Sequence, residues 1–256
     1  MEDVGEYNRK GWNARVEKGD QWTVAVDAKT IARARRGEWE VVLTPTKPVP
    51  REWFGDIAGK DILGLASGGG QQMPIFAAAG ARVTCLDASD GQLARDREVA
   101  EREGLTIRTV QGYMHDLSAL DDVSFDLIFH PCSNCYAPEI LPVWKECARV
   151  LRPGGVLLVG ITKPEVFIFD PEPWERGELV AKHKLPYSDF DLPKEELEPL
   201  LARDHTASFS HTLETQLGGQ MAAGFMLTHL FEDFEPEGEA PQLFAPYIAT
   251  RAVLRD

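Results

Sequence analysis

The residues with the most chemical potential begin at "LASGGGQQ" (Leu65 to Gln72), where three consecutive glycines separate an apolar run from a patterned apolar segment. Bare backbone lets a ligand approach closely, and a helix starting just after it presents unpaired N–H groups. Asp87 follows 17 residues beyond Gly70, at the end of the next apolar run, where a carboxylate accepts from ribose hydroxyls. The chemistry implied is the binding of a nucleoside-containing ligand, either a dinucleotide or S-adenosylmethionine (SAM). The dinucleotide pattern G-x-G-x-x-G fits poorly. Gly64 is followed by Ala66 and then Gly69, so the glycine that admits a pyrophosphate is missing. SAM has no phosphate, and a looser glycine turn can serve its carboxylate and amine.

Proton handling at neutral pH suits histidine best, and three histidines fall in informative places. His115, in "YMHDLS", follows a strand and is next to Asp116, whose carboxylate could orient an imidazole. The alternative there is that Asp116 caps the following turn. His130 precedes Pro131 at a strand end, as a pocket floor or a packed residue, and His211 in "FSHTLE" stands where a helix could begin. His115 is the expected base. Cys132 and Cys135 have CxxC spacing, but no further pair completes four zinc ligands. They are read as small packing residues, and no metal is expected.

These residues need elements to position them. "DILGLA", "RVTCLD", "TIRTVQG", "SFDLIFHP" and "VLLVGI" read as strands, with helices over "QQMPIFAAAG", "DGQLARDREVAEREG" and "ILPVWKECARVLRPGG". Strands alternating with helices predict a parallel sheet covered on both faces. "TLETQLGGQMAAGF" reads as helical, with "MLTHLFED" and "YIATRAVLRD" as closing strands. Residues before Asp56 show no clear alternation, but they contain Tyr7, Trp12, Trp22, Trp39 and Trp53. The stretch after Ile161 is rich in Pro, acidic and aromatic residues, including Phe167, Phe169, Trp174 and Tyr187. Both segments are expected to fold over the carboxyl edge of the sheet, where a few rings would face a flat apolar ligand.

Composition excludes other classes. With 256 residues and 43% hydrophobic content the chain fits one α/β domain with additions, or at most two small domains. A net charge of −14 gives no counterion-release affinity for nucleic acid. No run approaches a membrane span, and the start lacks signal-peptide character, so a cytoplasmic protein with no membrane partner is expected. Four cysteines are too few for a disulfide scaffold at this length.

Taken together, "ILGLASGGGQQ", "RVTCLDASDGQLARDR", "VQGYMHDLS", "SFDLIFHPCSNCYAPE" and "ARVLRPGGVLLVG" resemble class I SAM-dependent methyltransferases. The likeness is to a bacterial small-molecule branch near the ubiquinone and menaquinone-biosynthesis type, and it spans about Lys60 to Gly160. It implies a Rossmann-like α/β sheet of seven mostly parallel strands, with an N-terminal cap over residues 1–56 and the SAM-binding core over 57–161. A lid over 162–205 and the rest of the core over 206–256 complete the chain. Ala66, Ser67, Gly68 and Gly70 would line the methionine part of SAM, and Asp87 the ribose. Ala88 and Gln92 would border the adenosine, Gly112, Tyr113 and Met114 the adenine, and His130 would lie beside the donor methyl. Tyr7, Trp12, Trp22, Asn134, Tyr187 and His211 are the expected acceptor contacts.

The chain departs from the family pattern at Ala66, at Gly64 in place of an acid, and at Tyr113 in place of an Asp. The expected function is methylation of a small aromatic or heteroaromatic acceptor, for instance an indole-type natural product, with His115 as base. A quinone precursor is the alternative acceptor. A nicotinamide-dependent oxidoreductase and a non-catalytic SAM-binding module stay open, as does the assembly, a single copy or a homodimer.

Overall fold

The computed structural model describes residues 3–236 and 243–255. Seven strands form one sheet: β1 (Asp61–Leu65), β2 (Arg82–Asp87), β3 (Ile107–Gln111), β4 (Phe125–His130), β5 (Leu151–Thr162), β6 (Phe225–Asp233) and β7 (Tyr247–Leu254). Their order is β3-β2-β1-β4-β5-β7-β6. β1 to β5 pair in parallel, and β7 runs antiparallel to both β5 and β6. The chain builds outward from β1 in one direction and from β4 in the other, which opens a crevice at the carboxyl ends of these two neighbours.

Alternation along the central strands feeds two cores. Ile62, Leu127 and Phe129 point into one, with Trp39, Phe54 and Phe76. Leu63 and Ile128 point into the other, with Trp144 and Val150. This is the period of two in a sheet buried on both faces, and it explains why the strands read as unbroken apolar runs. Each fully buried Leu, Ile or Phe contributes roughly 1.5–3 kcal/mol.

Helix α1 (Val4–Lys18) and α2 (Ala28–Arg35) lie in the N-terminal region, whose residues show no clear periodicity. The buried residues of α1 are Asn8 and Gly11, so the helix docks with no apolar stripe. Asp3 caps its start and Gly19 closes it in the left-handed conformation. The core helices are α3 (Gln72–Ala78), α4 (Asp90–Glu103) and α5 (Leu141–Val150). α5 stops short of the Pro-Gly-Gly sequence expected to close it, because β5 already begins at Leu151 and a register shift in its pairing with β4 absorbs the turn.

After β5 come two short helices, α6 (Pro171–Glu175) and α7 (Lys194–Asp204). The segment read as a helix over "TLETQLGGQMAAGF" is a π-turn, Glu214–Gly218, joined to α8 (Gly219–Ala222). A Cβ at Gly219 would stand 2.7 Å from the Trp144 ring. The glycine therefore lets this turn pack directly on α5. No described helix is long and apolar enough to cross a membrane.

Candidate active site

A cavity of about 450 Å³ opens over the carboxyl ends of β1, β2, β4 and β5, roofed by α1 and the loop around Thr44. Its volume falls in the range of small-molecule sites, roughly 300–1,000 Å³. α1 is fixed over it by polar contacts. Asn8 Nδ2 donates to Tyr136 O at 2.8 Å and to Ala207 O at 3.0 Å, while its Oδ1 accepts from Ala207 N at 2.7 Å. Arg9 and Asn13 reach Asp90 at 3.0 and 2.9 Å, tying α1 to the start of α4.

The glycine loop forms one wall. Ala66 has φ 47°, and Gly69 and Gly70 have φ 111° and 70°, so three of five successive residues hold conformations that favour glycine. Ser67, Gly68 and Ala66 face the cavity. Gly70 does not; its carbonyl accepts from Val26 N at 2.9 Å and shapes the loop from behind. Gly64 is closely packed, since a Cβ there would meet Met73 Sδ at 2.2 Å and Ser67 Oγ at 2.4 Å. An acidic side chain has no room at that position.

Asp87 ends β2 beneath the loop. Its Oδ2 accepts from Gly68 N at 3.0 Å and its Oδ1 from Ser89 N at 2.9 Å. Burial pushes its carboxyl up to about 6, and these amides oppose the shift. Ser89 caps α4 by accepting from Gln92 N at 3.0 Å. Ala88, Gln92, Gly112, Tyr113 and Met114 continue the wall. Ser67 Oγ and Gln92 Oε1 are buried on it without a hydrogen-bond partner among the described residues. A Cβ on Gly68 would meet Gln92 Cβ at 2.7 Å and Asp87 Oδ2 at 3.1 Å, so the bare backbone is what lets the loop close on α4 and Asp87. Bare backbone, unpartnered polar atoms and a carboxylate fit an adenosyl ligand carrying a polar amino-acid end.

His115 stacks on Tyr113, with ring centroids 5.7 Å apart, at the exposed β3 end of the cavity. Asp116 caps its own turn by accepting from Ser118 N at 3.0 Å, and the Ser118 hydroxyl together with this amide holds its carboxyl below the ordinary range. It is not on the cavity wall, so the expected His–Asp couple is replaced by the turn cap.

His130 is 0% exposed and absent from the wall. Its Nδ1 lies 2.8 Å from Leu65 O and its Nε2 2.7 Å from Asn134 Oδ1. Burial holds this imidazole below its ordinary value. With both nitrogens engaged it pins β4 to β1, which corrects the expected place beside a reacting methyl. Asn134 is buried and passes the contact on to Gln216 Oε1 at 2.9 Å. His211 is buried, its Nε2 within 2.9 Å of Ala137 O and 3.1 Å of Asn134 O. These two side chains hold the wall from outside and do not face the cavity.

The aromatic expectation divides. Trp12 and Trp22 line the cavity, and Trp12 meets Tyr136 edge-on at 5.3 Å. Trp39 and Trp53 are core residues. Tyr7 reaches Leu201 O at 3.5 Å, and Tyr187 donates to Asp189 Oδ1 at 2.6 Å; neither is on the wall. Phe169 and Trp174 cluster with Phe244, away from the site. The segment after Thr162 thus supplies no cavity ring until Tyr247.

The end opposite Tyr113 is formed by residues that the sequence reading placed in the core or did not single out. Cys132, Cys135, Tyr136, Thr162 and Tyr247 line it. Burial pushes both thiols up, Cys135 to about 12. Tyr247 is the register partner of Thr162 on β5 and of Asp233 on β6, and its hydroxyl donates to Glu235 Oε1. The available signal was positional. A residue following β4 or β5, or opening an antiparallel neighbour, must fall at the carboxyl edge.

Comparison with known proteins agrees with this geometry. Residues 63–159 match the family model described as a methyltransferase domain. The chain is 48% identical over 254 residues, 99% of either chain, to the uncharacterized methyltransferase YbaJ of Bacillus subtilis. Similarity to a ubiquinone biosynthesis O-methyltransferase of Actinobacillus pleuropneumoniae is more distant, 33% identity over 39% of this chain and 44% of the relative. Among solved structures, the fold resembles the Burkholderia thailandensis 1,6-didemethyltoxoflavin-N1-methyltransferase, solved with 1,6-didemethyltoxoflavin and S-adenosylhomocysteine. There the TM-score is 0.61 at 15% identity, covering 100% of this chain and 92% of that one.

Proposed function

The chain belongs to the class I SAM-dependent methyltransferases, and from that premise we propose that it methylates a small, uncharged, largely apolar acceptor bound at the Cys132–Tyr247 end of its cavity. SAM, when bound, supplies an electrophilic methyl on a sulfonium. The observation that carries the proposal is the division of one cavity into two chemically different ends. One end has the glycine loop, Asp87 and the unpartnered oxygens of Ser67 and Gln92. The other has Pro131, two neutral thiols, Thr162 and two tyrosines.

Asp87 holds two amides and keeps lone pairs for ribose hydroxyls, while Gly68, without a Cβ, lets the loop close on Gln92 and Asp87. α1 and Trp12 roof the cavity and exclude water. Methyl transfer demands mainly that acceptor and methyl be aligned within about 3–3.5 Å, so a cavity that confines both supplies most of what is needed. An aromatic acceptor is supported by the Trp12 and Tyr136 rings beside this end. A quinone precursor has only the support of the partial likeness to a ubiquinone-pathway enzyme. A general-base role for His115 is not supported by its position on the exposed Tyr113 stack.

The test is calorimetric titration with SAM, S-adenosylhomocysteine and NAD in parallel, on the native protein and on Asp87→Ala. Binding of both adenosyl compounds, weakened in the variant and absent for NAD, is the expected result. Binding of NAD alone would overturn the reading.

A further inference from the structure

Deepening that reading, we propose that Tyr247, backed by Glu235, receives the acceptor's proton, and that the acceptor carries an ionisable hydroxyl of the phenol or enol kind. The inference starts from which groups on the wall can take a proton. Asp87 stands at the glycine-loop end, beneath Gly68, and not at the Cys132–Tyr247 end, and Asp3 caps α1 by accepting from Gly5 N. His115 follows β3, four strand positions from β5. At about 4.8 Å per strand this is roughly 19 Å away. The thiols of Cys132 and Cys135 hold their protons because burial disfavours the thiolate.

Tyr247 differs from all of these. It opens β7, at the carboxyl edge of β5, because β7 is antiparallel. Its hydroxyl proton is committed to the Glu235 carboxylate, which leaves the phenolic oxygen free to accept. Among the described residues the titratable groups facing it are Glu235, Cys132 and Cys135, and burial together with these neighbours holds its phenol well above the ordinary value. It stays neutral and passes a proton on without storing a charge. Glu235 is partly exposed, so the proton has a route to solvent.

The step balances. The acceptor O–H bond breaks and its proton passes to Tyr247 Oη as the Tyr247 proton passes to Glu235. The electron pair left on the acceptor oxygen forms the bond to the methyl carbon, and the pair of the broken carbon–sulfur bond returns to sulfur. A cation and a carboxylate become neutral together. No charged side chain lines this end among the described residues, which favours an acceptor that arrives uncharged and loses its proton only during transfer.

The test uses Tyr247→Phe and Glu235→Gln of the full chain with a series of para-substituted phenols of increasing acidity, ending at 4-nitrophenol, and SAM as donor. SAM affinity by calorimetry should be unchanged in both variants. Turnover of phenol should fall about 100-fold, as for loss of a general base, while 4-nitrophenol, ionised without help, should lose less than about fivefold. Rate should therefore depend more steeply on acceptor acidity in the variants than in the native protein. An equal loss for every phenol would mean a structural role and would overturn the inference, as would failure of the native protein to methylate any phenol. Loss of SAM binding by the native protein would instead sink the methyltransferase reading itself.

Discussion

Asn8 and Ala207 exchange two hydrogen bonds across 199 positions of sequence, Nδ2 to O at 3.0 Å and N to Oδ1 at 2.7 Å. The amide is 5% exposed, so both bonds are made out of water. They join the helix that roofs the cavity to the segment leading into β6. Asn8→Ala would strand Ala207 N–H, and each buried group left unpaired costs about 1–3 kcal/mol. The expected outcome is a lower melting temperature, by about 2–4 °C for each kcal/mol, and weaker SAM binding. Calorimetry of unfolding and of binding reads both. An unchanged SAM affinity would show that α1 plays no part in retaining ligand.

Asp87 and Asp96 make stability depend on pH. Asp96 lies beneath the glycine loop, 0% exposed, with Cys85 Sγ 3.7 Å from its Oδ2. Burial pushes Asp87 up to about 6 and Asp96 up to about 7, from an ordinary 3.8. The folded value exceeds the unfolded one, so the folded state keeps protons that the unfolded chain has released. Their contribution is fully present below about pH 4 and is lost as pH rises through 6 to 7. Each pH unit of separation is worth roughly 1.4 kcal/mol as an upper figure. Denaturant midpoints of the ligand-free protein should fall across that window, and the fall should shrink in Asp96→Asn. A flat profile would contradict the buried-carboxyl account.

SAM affinity should move the other way. A ribose diol donates best to an ionised Asp87, so binding should tighten as pH rises through about 6. Asp87→Asn should bind more weakly and lose this dependence. Titrations at pH 5.5 and 7.5 would decide it.

Gly68→Ala places a methyl 2.7 Å from Gln92 Cβ. Gln92 Cβ is held by the α4 backbone, so the loop must shift to admit the methyl, and the melting temperature should fall together with SAM affinity, the latter by at least about tenfold, or 1.4 kcal/mol. An unaltered affinity would mean that the loop does not touch the ligand.

His115→Ala should leave turnover within about threefold of native, because the ring stands on the Tyr113 face at the opposite end from the proposed acceptor site. A loss near the 100-fold scale of a general base would restore His115 to the mechanism and displace Tyr247.

How far the sequence reached depended on which force placed each residue. The central strands were legible because burial on both faces makes them unbroken apolar runs, and the glycines with Asp87 were legible because a loop closing tightly on a carboxylate at a strand end demands those residue types. α1 was not, since its docking rests on the Asn8 amide and on the closeness that Gly11 permits. A Cβ at Gly11 would meet His205 O at 1.9 Å. His130 looked catalytic from its position, yet its two ring bonds are visible only in three dimensions. Tyr247 was hidden because its place follows from the reversed direction of β7, a property of strand order and not of local pattern.

That reversal also separates the two ends of the described chain. Asp3 lies on the cavity wall, while β7 carries the chain away over 8 residues to Leu254, a run of roughly 27 Å. Anything joined ahead of α1 would start beside the cavity wall, whereas a tag, surface anchor or fusion partner placed after Leu254 would start at the opposite edge of the sheet. Assays and immobilised formats for acceptor screening should therefore be built on the carboxyl side.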